Sequence, residues 1–342
     1  MVDASLAVGH VFPPCPCSYN ARDAMLYALG IGCTVEGGDE SELRYLYEKA
    51  EDFAPFPTMA LALGFCGSVG HDAVPYPPPH GAMGQIPPGI PPIDPSMVLH
   101  AEQEITFKRR LPMPLQAPLQ LCTTVVGLHS RGSGLLMTTE GTLTGADGVV
   151  YATTTEGTFL RGAGGGEKLS VGRALASPTI PTTPPSATRR SATSQDQALM
   201  FRLSGDYNPL HADPQLATMV GFERPILHGL CTLGFATRHV VAQTCPGESE
   251  RLLRVGGRFS SPCVPGEILE TQMWYVDQRG QVVECGDGSS CATCPVCRRG
   301  GAMAKLAGYS AGACVCPAGC CGGGGGGGGG GDFHVQFRTR VK

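Results

Sequence analysis

An acidic and a basic side chain lie close together in the segment Ser204–His211 (SGDYNPLH). Asp206 and His211 are five positions apart, and Asn208-Pro209 stands between them. Proline fixes its own φ and keeps the preceding residue out of the α region, so the segment is predicted to be a rigid turn. A turn can bring together two side chains that a helix face would separate. A carboxylate and an imidazole that converge can hold a water molecule, one taking its proton while the other orients it or returns a proton elsewhere.

A second feature follows at residues 224–230 (RPILHGL), where a long helix is predicted from Pro225 to Ala242. The backbone N–H groups of His228 and Gly229 would lie near its start, unpaired and at the positive end of the helix dipole. Since Gly229 has no side chain to block a ligand oxygen, we expect an oxyanion site there. Each residue alone is typical of an ordinary turn or helix entry. The two segments together favour a catalytic site.

The elements that must position these residues form two units. In the first, residues 19–65 have helical character, broken by a glycine-rich stretch at 30–38, and Leu43, Leu46 and Tyr47 share one face of a helix predicted over Glu40–Ala50. Residues 75–95 hold nine prolines and are predicted to form an extended surface loop. Four runs rich in valine, threonine and leucine follow from Val98 to Leu160 and predict an antiparallel meander.

Residues 161–195 are polar and rich in proline and glycine, which predicts a linker. The second unit begins at Gln197 with a strand-like run (ALMFRLSG), then the turn, the long helix, and strands near residues 252–262 and 268–276. Helix and strands are thus segregated within each unit rather than alternating. This organisation predicts an α+β fold.

Bulk composition excludes several classes of protein. The chain has 342 residues with 25 Lys+Arg and 29 Asp+Glu, a formal net charge of −4, so no nucleic-acid partner is expected. No run reaches the roughly 18 consecutive apolar residues of a membrane span, and the N-terminus lacks the pattern of a secretory signal. Single cysteines in apolar surroundings indicate buried thiols in a reducing compartment.

The region near the end of the chain differs from the rest. Eight of the 16 cysteines lie between Cys285 and Cys321, and Gly322–Gly331 is an unbroken glycine run. Cys291, Cys294 and Cys297 form C-x-x-C steps, but the later cysteines supply no second pair of that spacing, so no metal site is predicted. The alternating pattern of residues 332–342 predicts a strand that pairs with the one at 268–276. Residues 285–331 are therefore interpreted as a flexible insertion in a hairpin.

The motif SGDYNPLH with the downstream ILHGL resembles the signature of the hydratase 2 family, the MaoC-like (R)-specific enoyl-CoA hydratases. The resemblance covers roughly four-fifths of the chain. It extends to RDAMLYALGIG (22–32), LRYLYE (43–48), LHAEQEITFKRRLP (99–112), FLRGAGG (159–165) and RFSSPCVPGEILETQMW (258–274). These segments are similar to the eukaryotic double form of the family.

The resemblance implies roles for individual residues. Asp206 and His211 match the catalytic pair, Asn208 matches the asparagine that orients them, and Gly229 matches the donor to the thioester oxygen. Residues matching substrate or CoA contacts are His100, Ala101, Arg131, Tyr207, Pro209, Leu210 and Phe259. Relatives carry His-Gly and usually Lys where this chain has His100-Ala101 and Arg131. Arg131 keeps the positive charge and can bind a phosphate in bidentate fashion. The methyl group of Ala101 leaves less space than glycine for CoA to approach the backbone closely.

The resemblance also implies a double hot-dog fold: two antiparallel sheets, each wrapped on a helix and packed side by side. Residues 1–165 would form an N-terminal hot-dog that accommodates the acyl tail, 166–196 a linker, and 197–342 the C-terminal hot-dog with the catalytic motif. The implied activity is hydration of trans-2-enoyl-CoA to (3R)-3-hydroxyacyl-CoA in fatty acid β-oxidation, without a cofactor or metal. A homodimer with a peroxisomal location is expected by family analogy, otherwise a cytoplasmic one.

Two alternatives stay open on the sequence. The same chemistry could run as dehydration of a 3-hydroxyacyl thioester on a carrier protein, or the chain could be a non-catalytic acyl-CoA-binding protein. Glu48, in LRYLYE, could be a second acid, but a buried or interface glutamate is the simpler interpretation. Lys108-Arg109-Arg110 could steer CoA phosphates, although a solvated strand end explains them equally well.

Overall fold

The computed structural model describes residues 2–36, 40–65, 76–78, 82, 84–164, 168–176, 180–276, 309–315 and 333–341. Its α-helices are α1 (Ala4–Ala7), α2 (Ala21–Gly30), α3 (Leu43–Leu46), α4 (Met59–Ala62), α5 (Gln197–Phe201), α6 (Pro214–Met219) and α7 (Gly229–Thr244). Its strands are β1 (Cys15–Cys17), β2 (Val98–Phe107), β3 (Leu119–Arg131), β4 (Gly134–Thr144), β5 (Val150–Arg161), β6 (Ser170–Gly172), β7 (Ala187–Ala192), β8 (Leu252–Phe259), β9 (Ile268–Val276), β10 (Tyr309–Val315) and β11 (Phe333–Val341).

Two antiparallel sheets meet edge to edge. The first has the order β1-β3-β4-β5-β2 and the second the order β8-β10-β11-β9-β7, with β6 added to β3. Strands β2 and β8 pair between the two sheets over Glu102–Thr106 and Arg254–Arg258, and the side chains of Arg258 and Glu102 form an ion pair across this seam. The α+β class and the side-by-side double hot-dog arrangement are confirmed.

A central helix lies against each half, and the two helices share one core. Helix α7 is apolar on most sides, with Leu233, Phe235 and Val240 fully buried, as expected for a helix enclosed by sheet and neighbouring helices. Its Phe235 ring abuts Gly32 just beyond α2, where φ is +79° and a Cβ would collide with the ring. No helix in the described ranges is long and apolar enough to cross a membrane.

Three predicted helix and strand assignments differ from the structure. Helix α7 begins at Gly229 rather than Pro225, because the chain before it is extended and Leu227 N–H donates to the carbonyl of Cys263. The predicted helix over Glu40–Ala50 is the single turn α3, because the Arg44 carbonyl accepts from Ala54 N–H instead of continuing a helix. The strand-like run from residue 198 forms α5, which packs against α2.

The pairing of strands also departs from a simple meander. Strands β3, β4 and β5 follow one another in the sheet, but β2 pairs with β5 and not with β3. Residues 166–196, predicted as a linker, contain β6 on the first sheet and β7 at the edge of the second. The backbone of β6 and β7 pairs with strands that are distant in the sequence. Local composition does not reveal such pairing.

The strand predicted after the glycine run is present. Strand β11 pairs antiparallel with β9 over eight residues, from His334 opposite Val276 to Val341 opposite Leu269. Within the predicted flexible insertion 285–331, residues 309–315 form β10 between β8 and β11, which differs from the expectation for them. The cysteine motif at 291–297 and the glycine run lie outside the described residues.

Candidate active site

The segment around Asp206 forms a tight turn held by its own side chains. The Asn208 N–H donates to the Asp206 carboxylate at 3.1 Å, and Leu210 N–H donates to Asn208 Oδ1 at 3.0 Å. Gly205, before them, has φ +123°, a conformation that residues with a Cβ rarely adopt. Pro209 then opens a single 3₁₀ turn that ends at His211. These local bonds aim Asp206 and His211 at one region of space.

His211 is buried and has a defined tautomer. Its Nδ1 lies 2.8 Å from the carbonyl oxygen of Ile226. A carbonyl only accepts hydrogen bonds, so Nδ1 carries the hydrogen and Nε2 keeps its lone pair. Burial lowers the pKa of His211, while the nearby charge of Asp206 acts in the opposite direction. The imidazole is therefore suited to accept a proton.

The Asp206 carboxyl is perturbed in the complementary sense. Burial raises its pKa, and the neighbouring His211 opposes that rise. One carboxylate oxygen of Asp206 and one ring nitrogen each of His211 and His228 all lie within 4.8 Å of one another. A buried acid that is harder to ionise stands beside a buried base that is harder to protonate. This pairing is characteristic of acid–base sites.

His228 contributes a side chain that the sequence analysis did not assign, since only its backbone N–H was considered. Its Nε2–H donates to the Asp206 carbonyl at 3.2 Å, and its ring stacks on that of His211 with centroids 3.7 Å apart. Burial, followed by the charge of His211, holds the pKa of His228 well below its usual value. A neutral His228 thus supports the turn from beneath. Its position near the start of the predicted helix was the one available signal.

A carboxylate and two imidazoles are also the residue types of a metal site. Imidazole lone pairs lie in the ring plane, and the rings of His211 and His228 are inclined by only 28°. Their lone pairs therefore lie in two nearly parallel planes, whereas the ligands of a tetrahedral ion must converge on one point. The set fits water activation better than metal binding. The absence of metal and cofactor remains a prediction.

Gly229 is the first residue of α7, and the preceding His228 side chain does not cap the helix. The N–H groups of the first turn are consequently available at the positive end of a 16-residue helix. A Cβ at Gly229 would lie 3.1 Å from the Phe259 ring. The Phe259 ring meets His100 edge to face at 5.0 Å between centroids. Gly229 therefore permits the close approach of the Phe259 ring, and its remaining side lines the cavity.

A cavity of about 460 Å³ opens over these groups and runs into the first half of the chain. Eight residues predicted from the sequence line it, namely His100, Ala101, Asp206, Asn208, Leu210, His211, Gly229 and Phe259. The other three predicted contact residues, Tyr207, Pro209 and Arg131, do not line this cavity. The Tyr207 ring lies under the guanidinium of Arg202 at 4.5 Å, Pro209 is the first residue of the 3₁₀ turn, and Arg131 is exposed at the end of β3.

Tyr76 joins the site from the proline-rich segment that was predicted to be a surface loop. Asn208 Nδ2 donates to Tyr76 Oη at 3.1 Å, and the Tyr76 ring lines the cavity. Burial raises the pKa of Tyr76 to about 12, and the charges of Asp206 and Glu156 add to the rise. The hydroxyl therefore stays protonated. Composition points such a segment to solvent, and only the long-range contact reveals its role.

The two remaining candidates lie apart from this cavity. Glu48 is exposed, so it is neither a second acid in the cavity nor a buried glutamate. Arg110 donates to the carbonyls of Asp52 and Phe53, which places the basic cluster at residues 108–110 against a neighbouring loop.

Comparisons with known families match both halves of the chain. A model described as "MFE-2 hydratase 2 N-terminal domain" matches residues 17–162, and one described as "MaoC like domain" matches residues 176–289.

The chain is also similar to whole proteins. It is 36% identical over 285 residues to "Enoyl-CoA hydratase 2, peroxisomal" of Arabidopsis thaliana, covering 80% of this chain and 87% of that protein. It is 33% identical over 287 residues to "Peroxisomal multifunctional enzyme type 2" of Mus musculus, covering 82% of this chain but 37% of that longer protein. The crystal structure of a MaoC-like dehydratase from Phytophthora capsici superposes with a TM-score of 0.72 at 36% identity, over 82% of this chain and 95% of the other.

Proposed function

Because this chain belongs to the MaoC-like hydratase 2 family, we propose that it hydrates trans-2-enoyl-CoA to (3R)-3-hydroxyacyl-CoA in fatty acid β-oxidation. The observation that carries the proposal is the convergence of a raised-pKa carboxyl, Asp206, and a lowered-pKa imidazole, His211, on one cavity. An enzyme that adds water across a double bond needs a base for the water and an acid for the adjacent carbon.

In the proposed mechanism, water lies between the Asp206 carboxyl and His211 Nε2. His211 takes a proton from the water as its oxygen bonds to C3 of the substrate. The Asp206 carboxyl begins the reaction protonated, which its raised pKa favours, and it delivers its own proton to C2 on the same face. The proton on the imidazolium then passes to the carboxylate, which restores both groups. Asn208 orients the pair through its bond to the Asp206 carboxylate.

Negative charge develops on the thioester oxygen when C3 is attacked. The start of α7 offers backbone N–H groups at Gly229, aided by the helix dipole, and Gly229 lines the cavity. We propose that the thioester oxygen binds to this N–H, on the side of Gly229 that faces the cavity. The phenyl ring and the stacked histidines would exclude bulk water from the reacting carbons.

Substrate contacts, assembly and location are proposed by analogy with the family. His100 and Ala101 line the cavity and are proposed to contact the acyl-CoA, while Arg131 would meet CoA phosphate outside it. Residues 1–165 and 197–342 are proposed as the tail-accommodating and catalytic halves, joined through 166–196. A homodimer and a peroxisomal location are proposed by family analogy.

The decisive experiment measures hydration of crotonyl-CoA and trans-2-decenoyl-CoA, with chiral analysis of the product. Asp206→Asn and His211→Ala should each lower kcat/KM by about 100-fold or more. Asp213→Asn is the matched control. Asp213 caps α6 by accepting from Gln215 and Leu216, and asparagine caps a helix equally well, so its rate should be unchanged.

The outcome separates the alternatives. Unchanged rates in Asp206→Asn and His211→Ala would place the catalytic site elsewhere. Turnover of carrier-protein thioesters without turnover of CoA thioesters would favour the dehydratase. Binding of acyl-CoA with no turnover of either class would favour the non-catalytic acyl-CoA-binding protein.

A further inference from the structure

The inner face of the first sheet carries polar side chains where an apolar lining would be expected. Glu156 on β5 stands directly opposite Gln103 on β2 and Thr139 on β4. Thr154, two residues along β5, shares this face, and Thr123 on β3 lies across Gly141 from it. We call these five residues the polar band. Three of the side chains, Gln103, Thr123 and Thr139, are buried, which is unusual for polar side chains, and Thr154 and Glu156 are partly buried.

The polar band is reached from the candidate active site. A second cavity of about 40 Å³ is lined by all five residues of the band, and it shares Phe65, Ala82, Glu156 and Leu230 with the larger cavity. The shared lining makes the small cavity an inward extension of the large one. Its volume suits a water molecule or one small polar group. A chain that starts at Asp206 and runs inward would therefore meet the band.

Glu156 is the only acidic residue of the polar band. Its Oε1 accepts from Thr158 Oγ1 at 2.9 Å, and its carboxylate faces the large cavity, where Tyr76 also lies. An alkyl chain placed against a carboxylate costs free energy, because the charge loses hydration and receives no hydrogen bond. A hydrogen-bond donor placed there would restore that bond.

The side-chain amide of Gln103 is occupied by hydrogen bonds within the protein. Its Nε2 donates to the carbonyls of Glu104 and Thr155 at 3.1 and 3.3 Å, and its Oε1 accepts from His100 Nε2 at 3.0 Å. With the glutamine held by these bonds, a ligand would meet the carboxylate of Glu156 as acceptor and the threonine hydroxyls as donors or acceptors. A hydroxyl group, which both donates and accepts, matches this combination.

We propose that the polar band is a subsite for a hydroxyl group on the acyl chain, so that the substrate is a hydroxylated trans-2-enoyl-CoA rather than a plain one. The inference rests on the proposed function, since it assumes an enoyl thioester at Asp206. It adds the substrate class, which neither the motif nor the family specifies.

Binding and catalysis test it with separate readouts. Isothermal titration compares saturated acyl-CoAs of six, eight, ten and twelve carbons with their ω-hydroxy counterparts, which the enzyme cannot hydrate. We expect the hydroxylated ligand to bind about tenfold more tightly at one or two of these lengths, as one hydrogen bond to a charged acceptor allows. The corresponding trans-2-enoyl-CoA pairs should show a similar ratio in kcat/KM.

Substitutions at Glu156 locate the effect. Glu156→Leu should remove the preference for the hydroxylated ligand and improve binding of the plain chain, and Glu156→Gln, which keeps the shape, should lose most of the preference. Glu140→Gln is the matched control, because Glu140 lies on the neighbouring strand β4 beside Thr139 and points to the opposite face, where it pairs with Arg173. It should retain the wild-type preference.

The possible outcomes are distinct. Equal binding of plain and hydroxylated chains at every length overturns the subsite, whatever the hydration rates. A preference that persists in Glu156→Leu with the wild-type thermal midpoint also overturns it. Tighter hydroxylated binding with no hydration of any enoyl-CoA supports the subsite and refutes the proposed function. Hydration of the plain series alone refutes the subsite and leaves the function intact.

Discussion

Replacing Gly229 with alanine adds one methyl group at the proposed thioester oxygen site. The new Cβ would lie 3.1 Å from two carbons of the Phe259 ring and 3.2 Å from a third. Relaxed carbon contacts lie near 3.5–4.0 Å, so the ring would have to move by several tenths of an ångström. His100, packed edge to face on that ring, restricts the movement.

The expected effects on stability and on catalysis differ in size. Overpacking of this kind costs about 1–3 kcal/mol, and replacing glycine by alanine in a helix returns up to about 1 kcal/mol. The net change in the free energy of unfolding should therefore be small. The methyl group would instead displace the substrate oxygen from its backbone donor. Loss of one such donor lowers the rate by about 10²–10³, or roughly 3–4 kcal/mol of transition-state stabilisation.

Gly234, five residues along the same helix, is the control. A Cβ there would lie 2.3 Å from Ile31 Cγ2, deep in the core between α7 and α2, and Gly234 does not line the cavity. Gly234→Ala should lower the thermal midpoint by several degrees while leaving kcat/KM of the folded enzyme unchanged. Gly229→Ala should lower kcat/KM strongly while changing the thermal midpoint little. Hydration kinetics and thermal unfolding of both variants provide the comparison.

The result that refutes the reasoning is specific. If Gly229→Ala folds normally and keeps kcat/KM within about twofold of wild type, the oxyanion role of this helix terminus is wrong. If it loses activity only in proportion to the folded fraction, packing against Phe259 explains the loss and no oxygen site is required.

Three further predictions follow from the same site. Tyr76→Phe removes the hydroxyl that accepts from Asn208, and kcat should fall by about fivefold to tenfold, whereas Tyr207→Phe, outside the cavity, should have no effect; steady-state kinetics of both variants decide this. Since burial lowers the pKa of His211, the acid-side loss of kcat/KM should be centred below pH 6.5, and a midpoint at or above 6.5 in a pH–rate profile would contradict the assignment of His211 as base. Since the pKa of Asp206 is raised in the folded state, folding is disfavoured wherever the unfolded carboxyl ionises, above its ordinary value of 3.8. Asp206→Asn should therefore raise the thermal midpoint at neutral pH, and the gain should vanish below pH 3.8; a lower midpoint for the variant at neutral pH would refute this.

Local chemistry in the sequence was enough to predict the turn that carries Asp206 and His211. Pro209 restricts the backbone, and the side chains of Asp206 and Asn208 accept from backbone N–H groups two residues further on, so the turn itself is specified locally. The same locality explains why the strands with alternating or β-branched residues were predicted well. It also explains the error at Pro225, where an extended pairing with Cys263 outweighs helix propensity.

Residues that depend on distant contacts could not be assigned this way. Tyr76 reaches Asn208 across 132 positions, and the Arg258–Glu102 pair joins strands 156 positions apart. Tyr207 belongs to the motif, yet the turn directs it to Arg202 and away from the cavity. A side chain's direction at a turn is set by backbone geometry, which residue type does not encode.

The sequence by itself determined the fold class and the family and singled out Asp206 and His211 as the proposed acid–base pair, because these rest on periodic patterns and on a short motif. Only the tertiary structure decided what surrounds the pair: the stacked His228, the tyrosine from a proline-rich segment, and a carboxylate on the wall of the cavity. Each of these arises where strands and loops far apart in the chain are brought within a few ångströms, and the burial that shifts the pKa values of Asp206 and His211 exists only after that packing.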